Sequence, residues 1–74
     1  MTRGPQLLKV YLRENSMSLR QAEKVIGFRA ASINLWKLEQ AVPKLFAAML
    51  MDHHFGIPVK SWLSRSQRAA LIPR

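Results

Sequence analysis

Residues 18–38 of the chain read SLRQAEKVIGFRAASINLWKL, and this stretch decides the fold. Ser18 is followed three residues later by Gln21, a spacing in which each side chain satisfies a backbone amide at the start of a helix. Gly27 then predicts the end of that helix, because glycine adopts the left-handed conformation beyond a helix terminus at low cost. The pattern predicts a short helix over about residues 18–26.

A second short helix is expected almost at once. Good helix formers resume at Arg29 and continue to about residue 38, and Ile33 and Trp36 are spaced to face inward. Two short helices joined by a three-residue turn around Gly27 cross at a large angle, so the second can lie in the major groove of DNA. Two ordinary helices of a bundle are the other interpretation of this pattern.

The flanking sequence predicts further helices and no strands, since strict alternation of apolar and polar residues is absent. A first helix is expected from Pro5 to Glu14, a fourth from Pro43 to about Phe55, where Gly56 stops it, and a fifth from Pro58. The apolar side chains expected to face the core are Leu19, Ala22, Val25 and Ile26 in the second helix, Ile33 and Trp36 in the third, Leu45, Phe46, Met49 and Leu50 in the fourth, and Val59, Trp62 and Leu63 in the fifth. We therefore expect an all-α fold of five helices.

The charge balance indicates a polyanionic partner. Twelve lysines and arginines against four acidic residues give a formal net charge of +8, while half of the residues are apolar. This combination is typical of a folded domain that binds nucleic acid. Seventy-four residues provide one domain only, expected over residues 1–63. Residues 64–74, with three arginines and no acid, are expected to form a basic C-terminal tail that extends the fifth helix, frays or becomes ordered on binding.

The composition argues against membrane, metal and catalytic functions. The longest apolar run has seven residues, well short of the roughly 20 that span a bilayer, and the N-terminus lacks the features of a signal peptide. The lack of cysteine fits a reducing compartment, so we expect a cytoplasmic protein. Adjacent residues such as His53 and His54 diverge on a helix, so we expect no metal site. We also expect no enzyme activity, no cofactor and no small-molecule ligand.

The spacing of residues after the turn resembles a known family. Ile33, Trp36 and Pro43 stand six, nine and sixteen residues after Gly27, and residues 55–63 read FGIPVKSWL. This joint spacing resembles the Cro/cI repressor (XRE) family over most of the chain. The resemblance implies a five-helix lambda-repressor-like domain with a helix-turn-helix. It also implies a phage or bacterial transcriptional repressor that binds double-stranded operator DNA.

The resemblance indicates which residues contact DNA. It implies base contacts from Arg29, Ala30, Ala31, Asn34 and Leu35, among which arginine reads guanine, asparagine reads adenine and the apolar side chains meet thymine methyl groups. Phosphate contacts are expected from residues near helix ends, namely Arg20, Gln21, Ser32, Lys37 and Lys44. Ser32 could equally bond its own backbone. With so few hydrogen-bonding side chains, specificity is expected to depend partly on DNA shape.

Three positions depart from the family pattern. Glu23 stands where the family usually has a small alanine, Lys37 where it usually has a glutamate, and Leu19 where a glutamine commonly holds a phosphate. A leucine at position 19 cannot bind a phosphate, and Arg20 or Gln21 could bind it instead.

The expected partners are double-stranded DNA and a second copy of the chain. One recognition helix makes few contacts, so two half-sites about 34 Å apart are the usual solution. The sequence does not locate the dimer interface, although Phe55, Val59, Trp62 and Leu71-Ile72 are apolar candidates that could equally belong to the core. The alternative function is a protein-interaction module on the same fold, such as an antitoxin or an anti-activator.

Overall fold

The computed structural model describes residues 3–63, and all regular secondary structure within this range is helical. The α-helices are α1 (Gly4–Glu14), α2 (Leu19–Ile26), α3 (Ala30–Lys37) and α4 (Leu45–Phe55), and a 3-10 turn follows at Val59–Trp62. The expected all-α class is confirmed for the described part of the chain. The expected basic tail, residues 64–74, lies outside the described residues, and so do the interface candidates Leu71 and Ile72.

The fifth element differs from its prediction. Val59–Trp62 is a single 3-10 turn and not an α-helix. The amide of Ser61 donates to the carbonyl of Pro58 at 2.9 Å, and the amide of Leu63 donates to Lys60 at 3.1 Å. Leu63 then adopts an extended conformation, so the four residues contain only the tighter i→i+3 bonding.

The predicted capping box of α2 and the glycine stops at Gly27 and Gly56 are confirmed, whereas the predicted start of the fourth helix at Pro43 is wrong, because α4 begins at Leu45 with Lys44 as its N-cap. The amide of Gln21 donates to Ser18 Oγ at 3.2 Å, and the amide of Ser18 donates to Gln21 Oε1 at 2.8 Å, which completes the capping box of α2. Gly56 ends α4 with a φ of 69°, in the left-handed region that favours glycine.

The core lies between the four helices and the 3-10 turn. Its buried apolar side chains are Leu8, Leu12, Ala22, Ile26, Ile33, Trp36, Ala47, Ala48, Met51, Phe55, Ile57 and Trp62. The inward positions predicted for α3 are therefore confirmed. The inward position predicted for Val25 is wrong: its side chain is 41% exposed, because α2 buries only Ala22 and Ile26 and half-buries Leu19.

The orientation predicted for α4 is wrong. Leu45 and Phe46 are each 67% exposed and Met49 is 53% exposed, while Leu50 is only half-buried. The side chains of α4 that face the core are Ala47, Ala48, Met51 and Phe55. Because apolar residues occur on nearly every side of α4, their spacing does not indicate which side faces the core. The two alanines then allow α4 to approach its neighbours closely.

Two contacts of aromatic side chains join α1 to the last described elements of the chain. The rings of Tyr11 and Phe55 stack with centroids 4.5 Å apart, which links α1 to the end of α4. The ring of Trp62 lies against Gly4 so closely that a Cβ atom at Gly4 would overlap it. The first turn of α1 therefore forms part of the wall around the buried Trp62 side chain.

Candidate nucleic-acid interface

The turn between α2 and α3 consists of residues 27–29. Gly27 has a φ of 78°, and its amide donates to the carbonyl of Glu23 at 2.7 Å. The space where a Cβ atom would stand at Gly27 is open, so the positive φ alone makes glycine favourable there. Three residues suffice to reverse the chain because one of them adopts this conformation.

Phe28 fixes the turn against the two helices that follow it. Its ring meets that of Trp36 edge to face with centroids 5.6 Å apart, and it lies 6.5 Å from the ring of Phe46. Trp36 is buried on the inner side of α3. The turn that precedes α3 is thus placed by contacts with both α3 and α4.

The start of α3 is capped from another helix. Arg29 occupies the N-cap position in an extended conformation and makes no side-chain cap. Instead, Glu23 Oε1 accepts a hydrogen bond of 2.6 Å from the backbone amide of Ala30. A carboxylate at a helix N-terminus makes a charge-assisted bond and is favoured by the helix dipole. Glu23, one of the three residues that depart from the family pattern, therefore joins α2 to α3 through this bond.

The residues expected to contact bases lie at the start of α3 and on its outer side. Ile33 and Trp36 are buried, so the opposite side of α3, with Ala31, Asn34 and Leu35, faces away from the core. Of these three, Ala31 and Leu35 are exposed and Asn34 is half-buried. Arg29 is exposed at the N-cap before the helix, and Ala30 is half-buried at its first position.

The expected phosphate contacts near the start of α2 and α3 differ in exposure and in how many of their hydrogen-bonding groups are already used. Arg20 is exposed, whereas Gln21 uses its side-chain oxygen in the capping box and retains only its amide hydrogens for a phosphate. Ser32 is half-buried in the first turn of α3. Within residues 3–63 its hydroxyl makes no hydrogen bond to the backbone. The alternative of a self-bonded Ser32 therefore finds no support in the described part of the chain.

The remaining two expected phosphate contacts lie on either side of the loop after α3. Lys37 is half-buried in the last turn of α3, and Lys44 is exposed at the N-cap of α4. Lys44 bonds to α4 only through its carbonyl, which accepts from the amide of Ala48 at 2.9 Å. Its side chain extends from the surface without a capping role.

A first basic depression lies at the N-terminal end of α3. We call it the N-side depression; its volume is about 630 Å³ and it is lined by Arg20, Glu23, Lys24, Arg29, Ala30 and Ala31. Three cations therefore line the same depression as Glu23, the residue that caps Ala30. Lys24 was not expected at the site from the sequence, although its i, i+4 spacing from Arg20 puts both on one side of α2.

A second basic depression lies at the C-terminal end of α3. We call it the C-side depression; its volume is about 530 Å³, its cations are Lys9, Arg13 and Lys37, and the rest of its lining is Leu12, Met17, Ser18, Leu19 and Leu38. No acidic side chain contributes to this lining. Lys9 and Arg13 were missed by the sequence analysis, because only the packing of α1 beside α3 brings them to Lys37.

Metal binding and membrane insertion have little basis in the described residues. His53 and His54 are exposed and meet edge to face with ring centroids 4.8 Å apart. Within residues 3–63, no group of three or more His, Asp or Glu side chains is placed to hold a metal ion. In the same part of the chain, every helix is too short or too polar to cross a bilayer.

Comparison of the chain with models of known protein families, with curated protein sequences and with solved structures finds no match. The interpretation of the site therefore depends on the geometry of α2, α3 and their two basic depressions.

Proposed function

We propose that this chain is a sequence-specific regulator of transcription that binds double-stranded DNA. In this proposal α2 and α3 form a helix-turn-helix, and α3 is the recognition helix in the major groove. The observation that carries the proposal is the outer side of α3. It presents Arg29, Ala31 and Asn34 away from the core, between two basic depressions.

The side chains on that outer side can read base edges in different ways. Arg29 can donate two hydrogen bonds to guanine, and Asn34 can both donate to and accept from adenine. Ala31 and Leu35 can contact thymine methyl groups only. Because just two of these residues hydrogen-bond, sequence-dependent DNA shape supplies part of the specificity.

Glu23 limits where a phosphate can bind on this surface. A free helix N-terminus attracts phosphate, but in α3 the carboxylate of Glu23 already occupies the amide of Ala30. The negative charge repels a phosphate from that end of α3. Contacts with the phosphate backbone of DNA are then made by the neighbouring cations, chiefly Arg20 and Lys24, and the start of α3 contacts bases instead.

We further propose that the chain binds an operator as a homodimer and represses by blocking polymerase. The second copy would cover the α4 face, by which we mean the exposed side chains of Val42, Leu45, Phe46 and Met49. A contiguous exposed apolar patch on a small domain is a common mark of an interface. Phe55 and Trp62, which the sequence offered as interface candidates, are buried in the core. An operator in a bacterial or phage genome requires a cytoplasmic location.

Selection of bound sequences from a random duplex pool at about 0.15 M salt tests this function, because non-specific binding is weak at that salt concentration. We expect a palindrome with two half-sites, and we expect Arg29→Ala to lose preference at one position of each half-site. A pool without enrichment would count against sequence-specific binding. Unchanged enrichment by Arg29→Ala would show that Arg29 does not read the sequence, and absence of enrichment by the unaltered chain would favour the protein-interaction module.

A further inference from the structure

The two basic depressions lie at opposite ends of the same helix. The N-side depression is built around the first residues of α3, and the C-side depression includes Lys37 and Leu38 at its end. The eight residues of α3 span about 12 Å. The major groove of B-DNA is also about 12 Å wide, with a phosphate backbone along each side.

The C-side depression concentrates positive charge without compensation. Lys9 and Arg13 are exposed, lie four residues apart on α1 and line the same depression as the half-buried Lys37 of α3. Within residues 3–63 none of the three forms an ion pair. Like charges that line one depression repel each other, so an anion bound there lowers the energy of the arrangement.

The rest of the depression determines which kind of anion fits. Besides the three cations and Ser18, its lining is apolar and consists of Leu12, Met17, Leu19 and Leu38. A small inorganic anion would leave these apolar side chains uncovered. A sugar-phosphate chain has both parts, since its phosphodiester oxygens can meet the cations while deoxyribose carbons contact the apolar side chains.

We propose that the C-side depression binds the sugar-phosphate backbone of one DNA strand, while the N-side depression faces the other strand across the major groove. The inference depends on the proposed function, which places α3 in that groove. It adds Lys9 and Arg13 to the DNA-binding residues and makes Lys37 part of a three-cation site. The α1 helix thereby becomes a direct contact with DNA.

The experiment compares the unaltered chain with the double variant Lys9→Gln/Arg13→Gln. Affinity for the selected duplex and for a scrambled duplex is measured over a range of salt concentrations. Removing one phosphate contact lowers the magnitude of the slope of log K against log salt by about 0.9, so we expect the slope to fall by about 1.8 for each bound copy, or about 3.6 for the proposed dimer. Binding weakens on both duplexes alike, and the selected sequence stays the same.

Two controls separate a phosphate contact from a general effect of charge or folding. Arg3→Gln removes an exposed cation that lines neither depression, and we expect it to leave the slope nearly unchanged. Arg13→Lys keeps the charge, and we expect it to keep the slope. Ethylation of individual phosphates should interfere with binding by the unaltered chain at positions on both strands. With the double variant, the interference should disappear from one strand of each half-site only.

The outcomes distinguish this inference from the proposed function. A double variant that keeps the original slope and both sets of interfering phosphates overturns the C-side proposal, even if sequence-specific binding is intact. A slope that falls on both duplexes while no sequence is preferred supports the C-side site and counts against sequence-specific regulation. Absence of DNA binding by the unaltered chain overturns both.

Discussion

The side chain of Glu23 in α2 accepts a hydrogen bond of 2.6 Å from the backbone amide of Ala30, the first residue of α3. Arg29 at the N-cap offers no bond of its own, so this is the side-chain cap that α3 has. The bond holds the second of two short helices to the first. It also places a negative charge at the end of the helix that is proposed to meet DNA.

Replacing Glu23 by alanine should lower stability and raise non-specific DNA affinity together. Loss of a helix cap costs about 1 kcal/mol, and the uncovered amide of Ala30 becomes available to phosphate. Urea unfolding measures the first effect, and the salt dependence of binding to a scrambled duplex measures the second. Glu14→Ala is the matched control because it removes an exposed acid from the end of α1. Equal effects from both variants would show that net charge alone is responsible.

Replacing Gly27 by alanine should destabilise the fold by about 1 kcal/mol. The cost arises from the left-handed backbone, since a Cβ atom there meets nothing within 4 Å. Asparagine adopts this conformation more readily than alanine, so Gly27→Asn should be the milder change. Thermal or urea unfolding measures both variants. If alanine and asparagine cost the same, backbone conformation is not the cause.

Replacing Glu39 by glycine should stabilise the protein by roughly 1 kcal/mol. Glu39 has a φ of 63° just after α3, where the amide of Gln40 bonds back to the carbonyl of Leu35 at 2.9 Å. Glycine relieves the left-handed strain at that position. Glu39→Gln removes the same charge but keeps the strain, so a gain in unfolding free energy confined to the glycine variant identifies the backbone as its source.

Replacing Gly4 by alanine should destabilise the fold through the ring of Trp62. The added Cβ atom overlaps that ring, and overpacking of this kind typically costs about 1–3 kcal/mol. A double-mutant cycle with Trp62→Leu checks the mechanism, because the smaller side chain leaves room for the methyl group. Additive losses of unfolding free energy in the double variant would argue against direct overlap.

Replacing Leu45 by glutamine should weaken self-association without unfolding the domain. Leu45 is 67% exposed on the α4 face, so little core packing is lost. Sedimentation velocity over a range of concentrations should show a larger dimer dissociation constant, and operator affinity should fall with it. Val10→Gln changes a valine of α1 that is 37% exposed, and it should leave association unchanged. A monomer at every concentration in the unaltered chain contradicts the proposed interface.

The sequence predicts the ends of helices well where a capping box or a glycine defines them, because these signals depend on local chemistry. Ser18 and Gln21 cap α2 as expected, and Gly27 and Gly56 end helices by a conformation that glycine favours. The orientation of α4 escapes prediction for the opposite reason. Almost all of its residues are apolar, so only tertiary packing decides that Ala47 and not Phe46 faces the core.

The candidate site was predictable along α3 but not across helices. The outer positions of α3 follow from its periodicity once Ile33 and Trp36 are taken as buried. The bond from Glu23 to Ala30 and the approach of Lys9 to Lys37 join residues of different helices. A pattern read along one helix carries no information about such contacts.

Phe28 connects the two surfaces that the proposals use. Its ring touches Trp36 behind the outer side of α3, and it also lies beside Phe46, which is exposed on the α4 face. In the proposed dimer, a second copy that covers Phe46 would press on the residue directly before Arg29. Assembly and base reading would then be coupled through the ring of Phe28. Thermodynamic reciprocity would require that whatever DNA adds to the stability of the dimer, the dimer adds to the affinity for DNA.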